Sequence, residues 1–256
     1  MTRRWALAGA LLGACAGALV AAPAAWVTLP LESASAQRVR LLDPAGTVWN
    51  GRARLVLSAG SGGLAAVALP GHVTWQLLPG WGSVHLTLHA TCCTPTPLQV
   101  VWTPSWTGWQ LRVTDAQSRW PAALLAGLGA PWNTMQLTGL LVVRSESLSL
   151  QMQDKVFGVG GAVDLDALDM ASQLSTLRPM GSYRMRVQGG TGPGTPSLAL
   201  RTLDGGLQLS GNGQWTGSRW RFAGEASAAP ESEEVLGNLL NIIGRRRGAK
   251  SLINLG

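Results

Sequence analysis

Three small groups of side chains in this 256-residue sequence are of types that do chemistry. His85 and His89 have the four-residue spacing that puts two imidazoles on one face of a helix, as a metal pair requires. They lie instead in an alternating run, with Val84, Leu86 and Leu88 set against Ser83, His85, Thr87 and His89, which reads as a β-strand. Four residues of extended chain separate two side chains by about 13 Å, too far to grip one ion, so both are expected as solvent-facing strand histidines. Asp164, Asp166 and Asp169 lie close in sequence but lack the glycine and closing glutamate of a calcium loop. They are expected on a solvated strand edge. No Gly-rich phosphate loop, nucleophile elbow or zinc-ligand spacing is present. The expectation is a protein that is not an enzyme and holds no metal and no cofactor.

Cys92 and Cys93 are adjacent. In an oxidising compartment such a pair forms a vicinal disulfide, stays as two free thiols, or bridges to a partner. No flanking charge lowers a thiol pKa, so a structural role is expected. Thr94-Pro95-Thr96-Pro97 then reads as a rigid loop.

Tryptophans gather at Trp102, Trp106 and Trp109, with Trp75 and Trp81 upstream and Trp120 downstream. Indole combines apolar area with one donor, so Trp102, Trp106, Trp109 and Trp120 are candidates for a surface that meets a partner or a lipid chain. Core packing is the alternative, since one Tyr and two Phe supply little other aromatic bulk. Arg245, Arg246 and Arg247 form a basic run that either contacts anionic lipid or favours the C-terminus of a preceding helix.

The elements that must position these groups are mostly strands. Leu148, Leu150 and Met152 alternate with Ser147, Ser149 and Gln151, and Leu207 and Leu209 alternate with Gln208 and Ser210. Each run has one buried and one wet face, the pattern of antiparallel sheets. Glycines beside apolar strand residues, at Gly51, Gly139, Gly211 and Gly213, are read either as bulges that curl the sheet or as hairpin punctuation. Between Asp115 and Pro131, Trp120, Leu124, Leu125 and Leu128 have helical spacing. The expected fold is mainly β: a curled antiparallel sheet in two β lobes, residues 26–114 and 135–228, joined by a helical linker over 115–134. Gly189 to Pro196 is expected as an exposed loop. Residues 229–256 are expected as a C-terminal helix with a Leu236, Leu239, Leu240 and Ile243 stripe stopped by Gly244, followed by a basic tail.

No charged residue lies between Trp5 and Leu31, and this stretch is about long enough for one membrane helix, which needs roughly 20 residues. Residues 5–25 are therefore expected as a transmembrane anchor, with residues 1–4 cytoplasmic because Arg3 and Arg4 precede it. Val20-Ala21-Ala22 and Ala34-Ser35-Ala36 also fit signal-peptidase sites, and Leu12-Gly13-Ala14-Cys15 loosely fits a lipoprotein box. All three readings put residue 30 onward outside the inner membrane. The net charge of +7 comes mostly from the two ends, and the body carries fourteen basic against thirteen acidic residues. That distribution argues against a nucleic-acid partner.

Four stretches and the chain's ending carry a resemblance. Leu41-Leu42-Asp43-Pro44-Ala45-Gly46-Thr47-Val48-Trp49-Asn50-Gly51, Gly71-His72-Val73-Thr74-Trp75-Gln76-Leu77, Leu174 to Tyr183 and Gly205 to Gly213, with the ending Leu239 to Arg246, resemble protein N of the bacterial type II secretion system. The resemblance implies an inner-membrane, single-pass, mostly periplasmic and noncatalytic component of the machine that exports folded proteins across the outer membrane. Its partners would be other secretion components and inner-membrane lipids. It implies fold roles for Gly46, Trp49, Gly51, Gly181, Gly211 and Gly213. Cys92-Cys93 and the Trp-rich region 100–110 depart from the family pattern. A second expectation is a lipid-binding or lipid-transfer module similar to AsmA-like envelope proteins, in which a curled sheet presents an apolar trough.

Overall fold

Alternation that places every second side chain on one face runs through most of the chain, and its consequence is one long meander. The computed structural model describes residues 2–60, 63, 65–154, 156–190, 195–217 and 219–255. The centre of the loop expected over Gly189 to Pro196 lies outside the described residues. Two helices come first, α1 (Thr2–Val20) and α2 (Ala25–Ala34). Eight strands follow: β1 (Val39–Gly46), β2 (Asn50–Ser58), β3 (Ala66–Ala68), β4 (Val73–Gly80), β5 (Ser83–Ala90), β6 (Leu98–Ser105), β7 (Gly108–Val113) and β8 (Ala116–Pro121). A 3-10 segment (Ala122–Leu128) and the short helix α3 (Trp132–Met135) interrupt them. The remaining strands are β9 (Thr138–Gln153), β10 (Val156–Ala171), β11 (Gly181–Gln188), β12 (Ser197–Asp204), β13 (Leu207–Trp215) and β14 (Trp220–Ala228). Helix α4 (Glu233–Ile243) and the hairpin β15 (Arg245–Arg247) and β16 (Lys250–Leu255) end the chain.

Among the described residues sixteen strands join one antiparallel sheet. A single sheet, not two lobes, therefore spans residues 39–255, because β7 pairs directly with the C-terminal half of β9 from Gly108↔Gln153 to Arg112↔Ser149. The expected helical linker over 115–134 is corrected at its first third: residues 116–121 form β8, paired with the N-terminal half of β9. Trp120 belongs to that strand, whereas Leu124, Leu125 and Leu128 lie on the 3-10 segment, so the apparent helical stripe straddled two elements.

Beneath the sheet the packing falls into separate clusters. Ala24, Leu41, Ala53 and Trp75 form one with Val27 and Leu31 of α2. Leu69, Ala90, Cys93 and Leu124 form a second. The largest contains Met170, Met180, Tyr183 and Leu207 beneath Leu236, Leu239 and Leu240 of α4. Those three leucines are fully buried, each contributing about 2 kcal/mol of transfer free energy. The stripe that marked α4 in the sequence is thus the face it packs, and Gly244 follows its last residue. The stretch after Gly244, expected as a basic tail, is a hairpin: Arg245 to Arg247 form the edge strand β15 on β16, which pairs with β14. The buried Ser251 hydroxyl donates to the Leu240 carbonyl at 2.6 Å, which satisfies a carbonyl near the helix end that the arginines were expected to cap.

Gly211 and Gly213 lie in unbroken register with β14, not in a bulge. A Cβ at Gly211 would collide with the Phe222 ring, so that glycine admits a close cross-strand contact. Register shifts fall between Leu42 and Ala45, between Gly160 and Ala162, and between Leu168 and Ala171, the last opposite Gly139, one of the glycines read as a bulge position. At the N-terminal end, residues 25–34 are helical where the first lobe was expected to begin. Among the described residues no helix is long and apolar enough to cross a membrane. The side chains of residues 1–4 and 6–8, within and beside the expected anchor, lie outside that description.

Candidate interaction surfaces

Residues directly opposite one another in an antiparallel pair share a face. On β5, β6 and β7 this places Val84, Leu86 and Leu88 beside Trp102, Val100 and Leu98, and these beside Leu111 and Val113. The opposite face carries His85, Thr87, His89, Gln99, Gln110 and Arg112. The two histidines are thus on the polar face: His85 contacts the Ser83 hydroxyl at 3.2 Å and His89 the Thr94 hydroxyl at 3.1 Å. Among the described residues no group of three His, Cys, Asp or Glu side chains is placed to hold a metal.

The polar face of β9, β10 and β11 carries the densest charge. Asp166 accepts from Arg184 Nε at 2.6 Å and Nη2 at 2.8 Å, and pairs with Arg144. Asp164 accepts from Arg186 at 2.7 Å, and Arg186 also reaches Glu146 at 2.8 Å. The expected solvated strand edge is therefore corrected, since β10 has a neighbour on each side and Asp164 and Asp166 are buried beneath the arginines. The Arg184 hydrogen bonds lower the Asp166 pKa, opposed by burial and assisted by Arg144. Sequence reading missed these partners. The signal was present: Arg184 and Arg186 repeat the two-residue spacing of Asp164 and Asp166 two strands' length away. Asp169 sits apart at a bulge with φ of 50°. The cluster fixes strand register and leaves no free carboxylate pair for acid–base work.

The β1–β2 hairpin, built from Leu41 to Gly51, organises the N-terminal end. Trp75 of β4 lies over Gly51, where any Cβ would overlap its ring, and its indole donates to the Val48 carbonyl at 3.0 Å. Trp49 donates to the Leu19 carbonyl at 2.8 Å. The Val48 and Ala24 amides donate to Ala22 and Gly46 carbonyls at 2.8 and 3.0 Å. The hairpin so grips the segment by which α1 enters the sheet domain.

The four candidate tryptophans are not one patch. Trp102 and Trp109 share the apolar face, Trp102 being 41% exposed. Trp106 is fully exposed at the β6–β7 turn. Trp120 is half-buried elsewhere, against the Leu69, Ala90, Cys93 and Leu124 cluster, with its indole donating to Ser118. Cys92 and Cys93 are joined in a vicinal disulfide, with Cys93 buried and Cys92 exposed. Arg245, Arg246 and Arg247 are all exposed on the edge strand.

Two cavities open on the apolar face. One of about 400 Å³ lies between α2 and β1–β6, lined by apolar side chains that include Val27, Leu31, Trp75, Leu88 and Trp120, with Thr94 the one polar residue. The other, about 280 Å³, lies under α4 and is lined by Met135, Leu141, Met185, Leu200 and Tyr183 among others. The Tyr183 hydroxyl is buried without a hydrogen-bond partner, and burial pushes its pKa well up. Neither the burial of the Tyr183 hydroxyl nor the position of the cavities was readable from the sequence.

The family model described as type II secretion system (T2SS), protein N, matches residues 37–252. No curated protein and no solved structure matches the chain.

Proposed function

We propose a function from the premise that this chain belongs to the type II secretion system protein N family. It acts as a noncatalytic component of that machinery, anchored in the inner membrane by residues 5–25, with residues 1–4 in the cytoplasm and the sheet in the periplasm. There it contacts other secretion components and supports the export of folded proteins across the outer membrane. The family match over 37–252 carries this reading. Support for the anchor comes from the uncharged stretch Trp5 to Leu31 and from Leu11, Leu12, Leu19 and Val20, which project from α1 well exposed. In-cell crosslinking of the full chain tests the partners: secretion components enriched over a control carrying the same anchor alone support it, and equal recovery contradicts it.

A second reading, a lipid-handling module, is favoured by the apolar cavities and the open face beside them. A cavity lined almost entirely by apolar side chains suits a hydrocarbon chain and penalises a peptide backbone. Phospholipid that stays on the purified full chain through delipidating washes, and is lost when Leu31→Trp fills the first cavity, is the expected result. Retention unaffected by that substitution contradicts it.

A further inference from the structure

The turns of β1–β2, β4–β5, β6–β7 and β9–β10 all lie at one end of the sheet. The registers fix this: Asn50↔Gln76 puts the first turn beside the end of β4, and Val84↔Trp102 puts the second beside the third. Gly108↔Gln153 then puts the third beside the fourth, where the Asp154 amide donates to the Thr107 carbonyl at 3.1 Å.

That end has an unusual composition. Trp81 and Trp106, at the second and third turns, are as exposed as free side chains and contribute nothing to packing. Val156 and Phe157 beside the fourth turn are 58% and 44% exposed. From Leu55 to Leu111 the chain carries no Lys, Arg, Asp or Glu, so the second and third tips hold no formal charge that a low-dielectric environment would penalise. The first turn carries Trp49, whose indole holds the Leu19 carbonyl of α1. The exit of α1 and the exposed aromatic tips are therefore at the same end of the sheet.

We infer that these hairpin tips rest in the lipid headgroup layer beside α1, with Trp81 and Trp106 as interfacial anchors. Indole rings partition to the membrane–water interface because an apolar body and one N–H donor match that layer. The second and third turns enter it without desolvating an ion, whereas the fourth carries Asp154 and Lys155 in its sequence. The position of α1 supplies continuity with the bilayer, and to that extent the inference rests on the anchor proposed above. It also sets the sheet's strands upright on the membrane. Arg247 and Lys250 pair across from Ser227, toward the far end of β14 from Trp220, roughly 23 Å along the strand at about 3.3 Å per residue. The basic run Arg245 to Arg247 therefore points away from that bilayer surface and is not its headgroup contact.

The test uses the full chain with Cys15→Ala, reconstituted in phosphatidylethanolamine–phosphatidylglycerol vesicles, with an environment-sensitive fluorophore on a single introduced cysteine. Trp81→Cys and Trp106→Cys probe the tips, Leu11→Cys probes α1, and Gly248→Cys probes the opposite end. All four sites are exposed; Gly248 has a φ of 63°, a left-handed position that strains a cysteine, so circular dichroism confirms the fold of that variant before labelling. Quenchers carried on lipid chains near the headgroup are expected to dim positions 81 and 106 by about twofold or more and to leave 248 unchanged. Quenching at 11 without quenching at 81 and 106 overturns the inference and leaves the anchor standing. No quenching at 11 refutes the anchor, and positions 81 and 106 then decide the tips on their own: quenched supports contact, unquenched overturns it. Equal quenching at 81, 106 and 248 also overturns it.

Discussion

Trp49 and Leu19, thirty residues apart, are joined by an indole N–H donated to a backbone carbonyl at 2.8 Å. The bond ties the β1–β2 turn to the last turn of α1, so Trp49 sets where the N-terminal helix leaves the sheet. Trp49→Phe keeps the ring and removes the donor. Because one such bond is worth about 1 kcal/mol, the melting temperature should hardly move while proteolysis within residues 19–24 accelerates several-fold. An unchanged cleavage rate would show that the tie does not hold the segment.

Gly51→Ala is expected to be far more damaging than a surface change. The new methyl would overlap the Trp75 ring, and overpacking of this kind costs about 3 kcal/mol. Thermal unfolding followed by circular dichroism should show it. The double variant Gly51→Ala, Trp75→Leu should recover part of the loss, since it removes the ring that collides.

The Asp166 carboxyl titrates below its ordinary range, with the Arg184 hydrogen bonds as the largest cause. A depressed folded pKa contributes stability that is present above the unfolded value and lost as pH falls through the folded one. Stability from this group should therefore begin to fall below about pH 4. Asp166→Asn should be less stable than the parent at pH 7, where Arg144 and Arg184 lose their shared partner, and the difference should shrink in acid. Equal stability at pH 7 would remove the carboxylate from the ledger.

Tyr183→Phe should stabilise the protein. The buried hydroxyl has no partner, and leaving one unsatisfied costs about 1–3 kcal/mol. A rise in melting temperature of about 2–4 °C for each kcal/mol recovered is expected for a domain of this size. A fall would mean that the hydroxyl binds something in the protein as isolated.

Cys92 and Cys93 should resist alkylation in the native protein, leaving Cys15 as the reactive thiol of the three cysteines, and both should react after reduction. Two freely reactive thiols at 92 and 93 before reduction would remove the bridge.

Much of the sheet was legible because its alternation is strict where one face packs, as at Val84 to Leu88 and Leu207 to Ser210. Helix α4 was legible for the same reason at the helical period. Register and neighbours were not. Nothing local tells that β9 is long enough to pair with both β7 and β8, so the segment between them read as a divide between lobes. Asp164 and Asp166 read as an edge because their arginine partners lie on strands 18–22 residues away. Arg245 to Arg247 look like a tail because charge outweighs pattern in three residues, and only the pairing of β16 with β14 makes them an edge strand. The exposed Trp81 shows the converse: its composition was visible, but its position beside the α1 exit needed the topology.

The central claim is membership in the secretion pathway through a noncatalytic role in the envelope. Its most direct test is deletion of the gene, followed by tracking one exported enzyme in periplasm and medium, with complementation by the intact chain. The account expects the enzyme to accumulate folded in the periplasm and to return to the medium on complementation. Export at the parental level without the gene would contradict it.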